Sequence, residues 1–285
     1  MAKFLYYVFV IPLSHFPMWV LYLFTDFFYL LLISIVPYRK KVIEQNIERS
    51  FPSYSAKEKA TIKRKYYRHL TQLLAESVKG LSISDKELLK RIKVKNPEVM
   101  QKLYDSNKNV LLVSGHYNNW EWIILSQNLL FKHKAIGIGM PMTSQFWDRK
   151  VNQRRARFGM QIVNAKSYKE ALSHDINTLK SVLVLSDQSP GDSLKSYWTT
   201  FLNQQTPILF GAELMAHQLD YAVVFFALRK VKRGYYEMEL TTITDSPSKM
   251  KWGEITEAHT SLLEKEIIAA PASWLWSHKR WKRDI

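Results

Sequence analysis

The sequence predicts an α/β fold: a mixed, mostly parallel sheet flanked by helices, preceded by an N-terminal hydrophobic helix or hairpin that anchors the chain to a membrane. Two observations carry this prediction. From about residue 108, short runs rich in β-branched residues alternate with helical stretches, a pattern typical of a sheet covered by helices. Between residues 4 and 36 the only formally charged residue is Asp26, and about 20 apolar residues suffice to cross a bilayer.

The predicted membrane anchor comprises residues 1–38. Its apolar run "PMWVLYLFTDFFYLLLISIVP" is too long for the core of a signal peptide, and no small-residue cleavage site follows it. Pro12, Pro17 and Asp26 interrupt the apolar segment. A kinked or interfacial hairpin in one leaflet is therefore an alternative to a regular span, and a buried helix of a soluble core is a third interpretation.

The balance of charge predicts an anionic partner. The 285 residues include 41 Lys+Arg against 25 Asp+Glu, a formal net charge of +16. Three basic residues follow the anchor directly and are expected to touch the membrane surface, which places the body of the protein in the cytoplasm: Arg39, Lys40 and Lys41. Nucleic acid is not predicted as a partner, because the aromatic residues cluster in the two terminal segments and not in a recognisable reader module.

Residues 39–285 form the second predicted domain, helical over 42–105 and α/β over 108–285. The clearest helix is "SAKEKATIKRKYYRHLTQLLAESVKG", which begins at a Ser cap with a Glu three residues later and stops at Gly80. Six β-rich runs follow: "NVLLVS", "KAIGIG", "GMQIVN", "SVLVLSD", "YAVVFFALRK" and "YEMELTTI". The last two are predicted to form a hairpin. Helices are predicted near 119–131, 144–158, 167–180, 211–219 and 254–269.

The stretch "NVLLVSGHYNNWEW" holds the predicted catalytic residues. A buried strand ends, a glycine permits a tight turn, and an asparagine can cap the following helix. We expect His116 in the turn and Glu121 in the first helical turn to meet. The carboxylate would then hold one imidazole nitrogen as a donor and leave the other free as a base for an alcohol or amine. A hydrogen-bonded histidine at a strand end, without catalytic role, is the alternative.

Several other chemistries are excluded or unsupported. Cysteine is absent, which excludes disulfides, thiolate metal sites and cysteine nucleophiles. The sequence has no Gly-x-Ser-x-Gly elbow, no Walker loop and no His-Glu-x-x-His, and "GIGMPM" lacks the third glycine of a dinucleotide fingerprint. No metal and no cofactor are therefore predicted.

Five blocks in order resemble the late (secondary) acyltransferases of lipid A biosynthesis, the lauroyl/myristoyl acyltransferase family. "HYNNWE" after an aliphatic strand looks like the catalytic motif of that family. The others are "RKKVIEQNIERSFPSYSAKEK", "RRARFGMQIV", "SVLVLSDQSPGD" and "APASWLWSHKRWK". Together they cover roughly residues 37–283.

The resemblance implies an enzyme on the cytoplasmic face of the inner membrane that moves a fatty acyl chain from acyl carrier protein to a hydroxyl of a glycolipid. It implies His116 as general base, steadied by Glu121. The residues it implies for substrate binding are Asn119, Arg155, Arg157, Asp187 and Gln188. Arg155 and Arg157 are also its candidates for binding the oxyanion. The closing aromatic and basic strip is expected to rest on the membrane: Trp274, Trp276, Arg280 and Trp281.

One departure from the family leaves the acceptor open. Where many members carry an aromatic-Arg-Pro triplet after the second strand, this chain has Gly139, Met140, Pro141 and Met142. The missing arginine admits a different acceptor, such as an amino lipid, a sulfolipid or a mannosyl lipid. A non-catalytic, basic membrane-bound adaptor is the alternative from another class.

Overall fold

The computed structural model describes residues 2–35, 38–173, 177–192 and 196–282. The strands run in chain order as β1 (Ile92–Val94), β2 (Val110–Ser114), β3 (Lys134–Gly139), β4 (Gln161–Asn164), β5 (Lys180–Leu185), β6 (Tyr197–Phe201), β7 (Gln204–Ile208), β8 (Ala222–Lys232) and β9 (Tyr235–Thr244).

The α-helices are α1 (Ala2–Leu5), α2 (Ile11–His15), α3 (Met18–Ser34), α4 (Lys40–Ser50), α5 (Ala56–Lys79), α6 (Asp85–Arg91), α7 (Glu98–Asp105), α8 (Trp120–Leu130), α9 (Gln145–Arg155), α10 (Tyr168–Ser173), α11 (Gly211–Leu219) and α12 (Glu254–Ala269). A π-helical turn at Tyr6–Val10 joins α1 to α2. Single 3₁₀ turns lie at Ala156–Phe158, Pro247–Lys249 and Pro271–Ser273.

A seven-stranded sheet in the order β1-β9-β8-β2-β5-β3-β4 forms the centre of the fold. All neighbouring strands in it are parallel except β8 and β9, which form the predicted antiparallel hairpin. Strand β2 lies in the middle and is buried along its whole length. The predicted mixed, mostly parallel sheet is confirmed.

The register of β2 on β5 decides where the functional side chains meet. Ser114 pairs with Leu185 at the carboxyl ends of the two strands, and the Ser186 amide donates to the Ser114 carbonyl at 3.0 Å. The residues that follow each strand therefore emerge side by side, at the edge where ligands bind in sheets of this kind.

Three short strands differ from the sequence prediction. Strand β1 falls within residues 42–105, which were predicted to be helical, and pairs with β9. Strands β6 and β7 form a separate two-stranded ribbon that was not predicted. The helix predicted over 167–180 is wrong in its second half, because α10 ends at Ser173 and Lys180 already begins β5. Residues 174–176 of that prediction lie outside the described residues.

The N-terminal segment is helical and packs against the rest of the chain. The longest of its helices, α3, lies on α5, and Asp26 forms an ion pair with Arg233 of the β8–β9 hairpin at 2.7 Å. Within the described part of the chain, no helix has both the length and the apolar character that a membrane crossing requires. Many apolar side chains of the segment are nevertheless exposed, among them Phe4, Phe9, Trp19, Leu23, Phe27 and Leu30.

Candidate active site

Gly115 allows the ends of β2 and β5 to approach closely. A Cβ atom at this position would lie 2.6 Å from Leu263 Cδ2 and 2.9 Å from the Asp187 carboxylate. Any side chain would therefore push Asp187 away. The absence of a side chain at Gly115 sets the distance between the two strand ends.

His116 and Asp187 form a hydrogen-bonded pair in this space. The imidazole Nδ1 lies 2.6 Å from Asp187 Oδ1, and the backbone amide of His116 donates to Oδ2 at 2.8 Å. The indole Nε1 of Trp274 donates to the same Oδ2 at 2.8 Å. The carboxylate therefore fixes both the ring and the backbone of His116, and the acceptor on Nδ1 leaves Nε2 as the basic nitrogen.

Asp187 is charged at any ordinary pH. Burial alone would raise its pKa, but the charge of the His116 imidazolium and the hydrogen bonds from His116 and Trp274 hold the pKa of Asp187 at about 2. A buried carboxylate with three donors, one of them the imidazole itself, is suited to stabilising an imidazolium ion. The substrate contact predicted for Asp187 is therefore corrected, because both of its oxygens are used inside the protein.

The predicted contact between His116 and Glu121 is wrong. Glu121 instead accepts hydrogen bonds from Arg154 and from Nε and Nη2 of Arg155, both on α9. The reason is rotational: neighbouring helical residues point about 100° apart, and the α8 residue that faces the imidazole is Trp120, whose ring centroid lies 5.0 Å from that of His116.

The two arginines also set the charge state of Glu121. Burial would raise its pKa, but the charges of Arg154 and Arg155 and their hydrogen bonds hold the pKa of Glu121 at about 2. Two nitrogens of the Arg155 guanidinium share the carboxylate in a fork, a geometry that fixes the side chain firmly. None of the described contacts of Arg155 uses its third nitrogen, Nη1.

An apolar cavity of about 410 Å³ opens beside His116. Its polar lining includes His116, Arg155 and Gln188, and the Gln188 amide nitrogen lies 3.2 Å from His116 Nε2. The apolar lining comes from β3, β5, α8 and α11, with Ile124, Ile138, Leu183 and Met215 among its members. A largely apolar cleft with a few convergent polar groups suits a ligand with a long hydrocarbon part.

Asn119 has a structural place in the protein. Its side-chain oxygen accepts from the Trp122 amide at 3.1 Å and caps α8, while its amide nitrogen donates to the buried carboxylate of Glu76 at 2.5 Å. Only 3% of Asn119 is exposed. The substrate contact predicted for Asn119 is therefore corrected, because both ends of its amide are used inside the protein.

Arg157 likewise differs from its predicted role. Its guanidinium donates to the backbone carbonyls of Gly80 and Ile83 at 2.7 and 2.9 Å, and it is not among the residues that line the cavity. It lies in the 3₁₀ turn beyond α9, where it ties that turn to the end of α5. Arg155, two residues earlier at the end of α9, is the arginine that reaches the cavity.

The membrane contact predicted for Trp274, Trp276 and Arg280 is also corrected, whereas that of Trp281, which is half-buried, stays a prediction. Trp274, Trp276 and Arg280 are at most 2% exposed, and the two tryptophans belong to the hydrophobic core. The indoles of Trp276 and Trp281 donate to Pro271 O and Thr206 Oγ1, and Arg280 donates to Pro207 O. Trp274 is the member of this strip that donates to Asp187, and the other three hold the segment in place around it. Arg39, Lys40 and Lys41, by contrast, are exposed, and their contact with a membrane stays a prediction.

Three site residues escaped prediction. Arg154 shares Glu121 with Arg155, and adjacency in "RRARFG" was the available signal. Trp120 forms one wall of the imidazole site. His278 accepts a hydrogen bond from the Ser189 amide at 3.1 Å, and burial lowers its pKa to about 4. No cluster of three metal-ligating side chains occurs among residues that the structure describes.

Comparison with known proteins gives a consistent result. The model of a family described as bacterial lipid A biosynthesis acyltransferase matches residues 1–283. The chain is 21% identical over 253 residues to a lipid A biosynthesis palmitoleoyltransferase of Escherichia coli (strain K12), covering 86% of this chain and 79% of that protein. It is 22% identical over 249 residues to a lipid A biosynthesis lauroyltransferase of the same strain, with the same coverage.

Proposed function

Because this chain belongs to the bacterial lipid A biosynthesis acyltransferase family and is therefore an acyltransferase, we propose that it transfers a fatty acyl chain from acyl carrier protein to a hydroxyl group of a lipid A precursor. The observation that carries the proposal is the His116–Asp187 pair, whose imidazole borders an apolar cavity. The apolar cavity can hold the acyl chain, and the imidazole can accept the proton of the acceptor hydroxyl.

In this mechanism His116 is the general base. The acceptor hydroxyl takes the place of the Gln188 amide at Nε2, gives its proton to that nitrogen and attacks the thioester carbonyl. The tetrahedral intermediate then expels the carrier's thiolate, which takes up the proton from the imidazolium. Because a thiol has a pKa of about 8.5, the leaving group needs little acid assistance. No covalent acyl-enzyme is required.

Two charged residues support the transition state. Asp187 holds the imidazole by Nδ1 and stabilises the imidazolium that forms. Arg155, fixed by Glu121 through Nε and Nη2, has Nη1 left to donate to the carbonyl oxyanion. Glu121 therefore acts through Arg155 and not through His116.

The surface of the protein supports attachment to a membrane. Exposed apolar side chains of α1–α3 would lie in the lipid interface. The basic residues Arg39, Lys40 and Lys41 follow them in the chain, and the net charge of +16 suits both anionic head groups and an acidic carrier protein. We place the enzyme on the cytoplasmic face of the inner membrane.

The experiment is a transfer assay with purified protein, labelled acyl chains on acyl carrier protein and a lipid A precursor in mixed micelles. We expect transfer by the parent and almost none by His116→Ala. The matched control is His15→Ala, at an exposed histidine of α2. A His116→Ala variant that transfers as fast as the parent would overturn the proposed mechanism.

A second acceptor class is favoured by one observation. Met140 borders the cavity and is 62% exposed, and the family resemblance leads us to expect an arginine at this place. Without that arginine the site has one cation fewer to bind a phosphorylated head group, so an amino lipid, a sulfolipid or a mannosyl lipid is the alternative acceptor. The same assay separates the classes when each lipid is offered in turn. Lipid profiling of cells without the protein identifies the missing acyl chain.

A further inference from the structure

A buried carboxylate on α5 collects hydrogen bonds from three distant parts of the chain. Glu76 is 0% exposed. Its oxygens accept from the Tyr22 hydroxyl at 2.8 Å, the Tyr236 hydroxyl at 2.7 Å and the Asn119 amide at 2.5 Å. Burial raises the pKa of Glu76, whereas these three donors lower it. A group this costly to bury needs its partners, since each lost donor is expensive.

One of these partners, Asn119, belongs to the turn 115–119 that bears His116, called the catalytic turn below. Asn119 caps α8, and the Trp122 indole in the first turn of that helix donates to the backbone carbonyl of Glu76 at 3.1 Å. The same helical turn carries Trp120, which packs on the imidazole, and Glu121, which fixes the arginines of α9. Glu76 therefore holds the start of α8 by both its side chain and its backbone.

Another partner belongs to the N-terminal helix α3. Tyr22 lies on the buried face of α3, under the guanidinium of Arg233 at 3.9 Å from the ring centroid. At Gly234, where φ is +71°, a Cβ atom would lie 2.4 Å from the Tyr22 hydroxyl oxygen. The hairpin is thus shaped to admit this hydroxyl. The opposite face of α3 exposes Leu23 and Phe27.

We propose that Glu76 is a positioning residue that couples the seating of α3 at a lipid surface to the geometry of the turn bearing His116. The inference rests on the proposed function, because it assigns α3 the lipid contact. When α3 is held in place, the Tyr22 hydroxyl completes the shell of Glu76, and Glu76 in turn holds Asn119 and the start of α8. When α3 is displaced, the carboxylate loses one donor and the cap of α8 loosens.

Two single-hydroxyl variants test this coupling. Tyr22→Phe and Tyr236→Phe each remove one hydrogen bond to the same carboxylate, but only Tyr22 belongs to α3. Acyl transfer is measured on anionic vesicles and on detergent micelles. We expect Tyr22→Phe to lower the vesicle-to-micelle ratio of kcat by about 5-fold or more, the lower range of typical coupling between sites, with KM unchanged. The matched variant Tyr236→Phe keeps the ratio of the parent.

Hydrogen exchange of the amides of residues 116–122 supplies a second readout that needs neither donor nor acceptor. We expect vesicles to slow this exchange in the parent and in Tyr236→Phe, but not in Tyr22→Phe. Equal responses of the two variants, or no response in a parent that transfers acyl chains, overturn the coupling. A parent that shows the exchange response without acyl transfer overturns the proposed function alone. Thermal unfolding of each variant separates both results from loss of folding.

Discussion

The carboxylate of Asp187 accepts two hydrogen bonds from His116 and one from Trp274. All three hydrogen bonds therefore depend on the charge and the position of this carboxylate. An amide at residue 187 would keep the shape, but its NH₂ group would either face Nδ1 of His116 or leave the two donors at the Oδ2 position, the His116 amide and the Trp274 indole, without an acceptor. The imidazole would then favour the tautomer with its proton on Nε2, which cannot act as a base toward the cavity.

This argument predicts the effect of Asp187→Asn. We expect kcat to fall by about 10²- to 10⁴-fold, the usual contribution of a positioned general base, with little change in KM. Steady-state transfer kinetics measure both constants. Glu121→Gln is the informative comparison, because it leaves the His116–Asp187 pair (the dyad) intact and weakens the hold on Arg155. A fall in kcat for Glu121→Gln with an unaffected Asp187→Asn would contradict the assignment of the dyad.

The loss of stability in acid is predicted from two buried carboxylates whose pKa is lowered, Asp187 and Glu121. The pKa values of Asp187 and Glu121 are held at about 2, below those of the unfolded chain. Their stabilisation is therefore complete above the unfolded pKa and is lost as the pH falls through the folded pKa. We expect the free energy of unfolding to decline between about pH 5 and pH 2.

Denaturant titrations across this range test the decline with Glu121→Gln. The variant is expected to be less stable than the parent at neutral pH and to lose less stability on acidification. Glu170→Gln, at an exposed glutamate of α10, serves as the control and should follow the parent. Identical pH slopes for the parent and Glu121→Gln would exclude a contribution from Glu121.

At the level of secondary-structure elements, one glycine at the end of β3 and one at the start of α11 leave the cavity open. Gly139 and Gly211 both line the cavity, and a Cβ atom at either position would have no neighbour within 4 Å. Larger side chains there have space to enter without disturbing the sheet. Gly137 differs, because a Cβ atom would lie 3.0 Å from Met160 Sδ.

We therefore predict that Gly139→Leu shifts the preference of the enzyme toward shorter acyl chains. The added side chain occupies cavity volume that a longer chain needs, so the ratio of kcat/KM between a long and a short acyl donor should fall by about 10-fold, as for a few methylenes of lost apolar burial. Competition between two acyl carriers measures this ratio directly. An unchanged ratio with normal folding would show that the acyl chain lies elsewhere. Gly191→Leu is a suitable control, because Gly191 is exposed and does not line this cavity.

The elements also explain which features the sequence could predict. Short apolar runs between helical stretches located six strands of the central sheet. Burial on both faces of a strand produces such continuous apolar runs, as in β2. The partner of His116 was misassigned because it depends on tertiary register: Asp187 is 71 positions away and reaches the imidazole only through the pairing of β2 with β5. Local spacing favoured Glu121, whose direction is set by the rotation of α8.

The C-terminal strip was misassigned for a related reason. Tryptophan and arginine next to one another suit both a membrane interface and a buried brace, and the sequence holds no signal that separates them. In the structure the bridge between Tyr117 and Trp274 pins this strip to the catalytic turn. The amphipathic residues of this strip were therefore expected to lie in a membrane interface, whereas Trp274, Trp276 and Arg280 are buried inside the protein.

Across the whole molecule, the exposed apolar residues concentrate in the N-terminal helices, while the net charge is +16. An apolar surface supplies binding that is insensitive to salt, and a basic surface supplies attraction that salt screens. The two contributions can therefore be separated by ionic strength. The proposed membrane attachment needs both to act on the same face.

The final prediction tests that attachment with vesicle co-sedimentation. We expect Leu23→Ser combined with Phe27→Ser to weaken binding to anionic vesicles by about 10-fold or more, since each side chain buries apolar surface worth more than 1 kcal/mol. The loss should persist at high salt, whereas binding by the parent should decrease only in part. Ile268→Ser removes a similarly exposed side chain, 49% accessible, from α12 and should bind as the parent does. Equal binding by all three proteins would place the lipid contact on another surface, and the coupling through Tyr22 would then lose its physical basis.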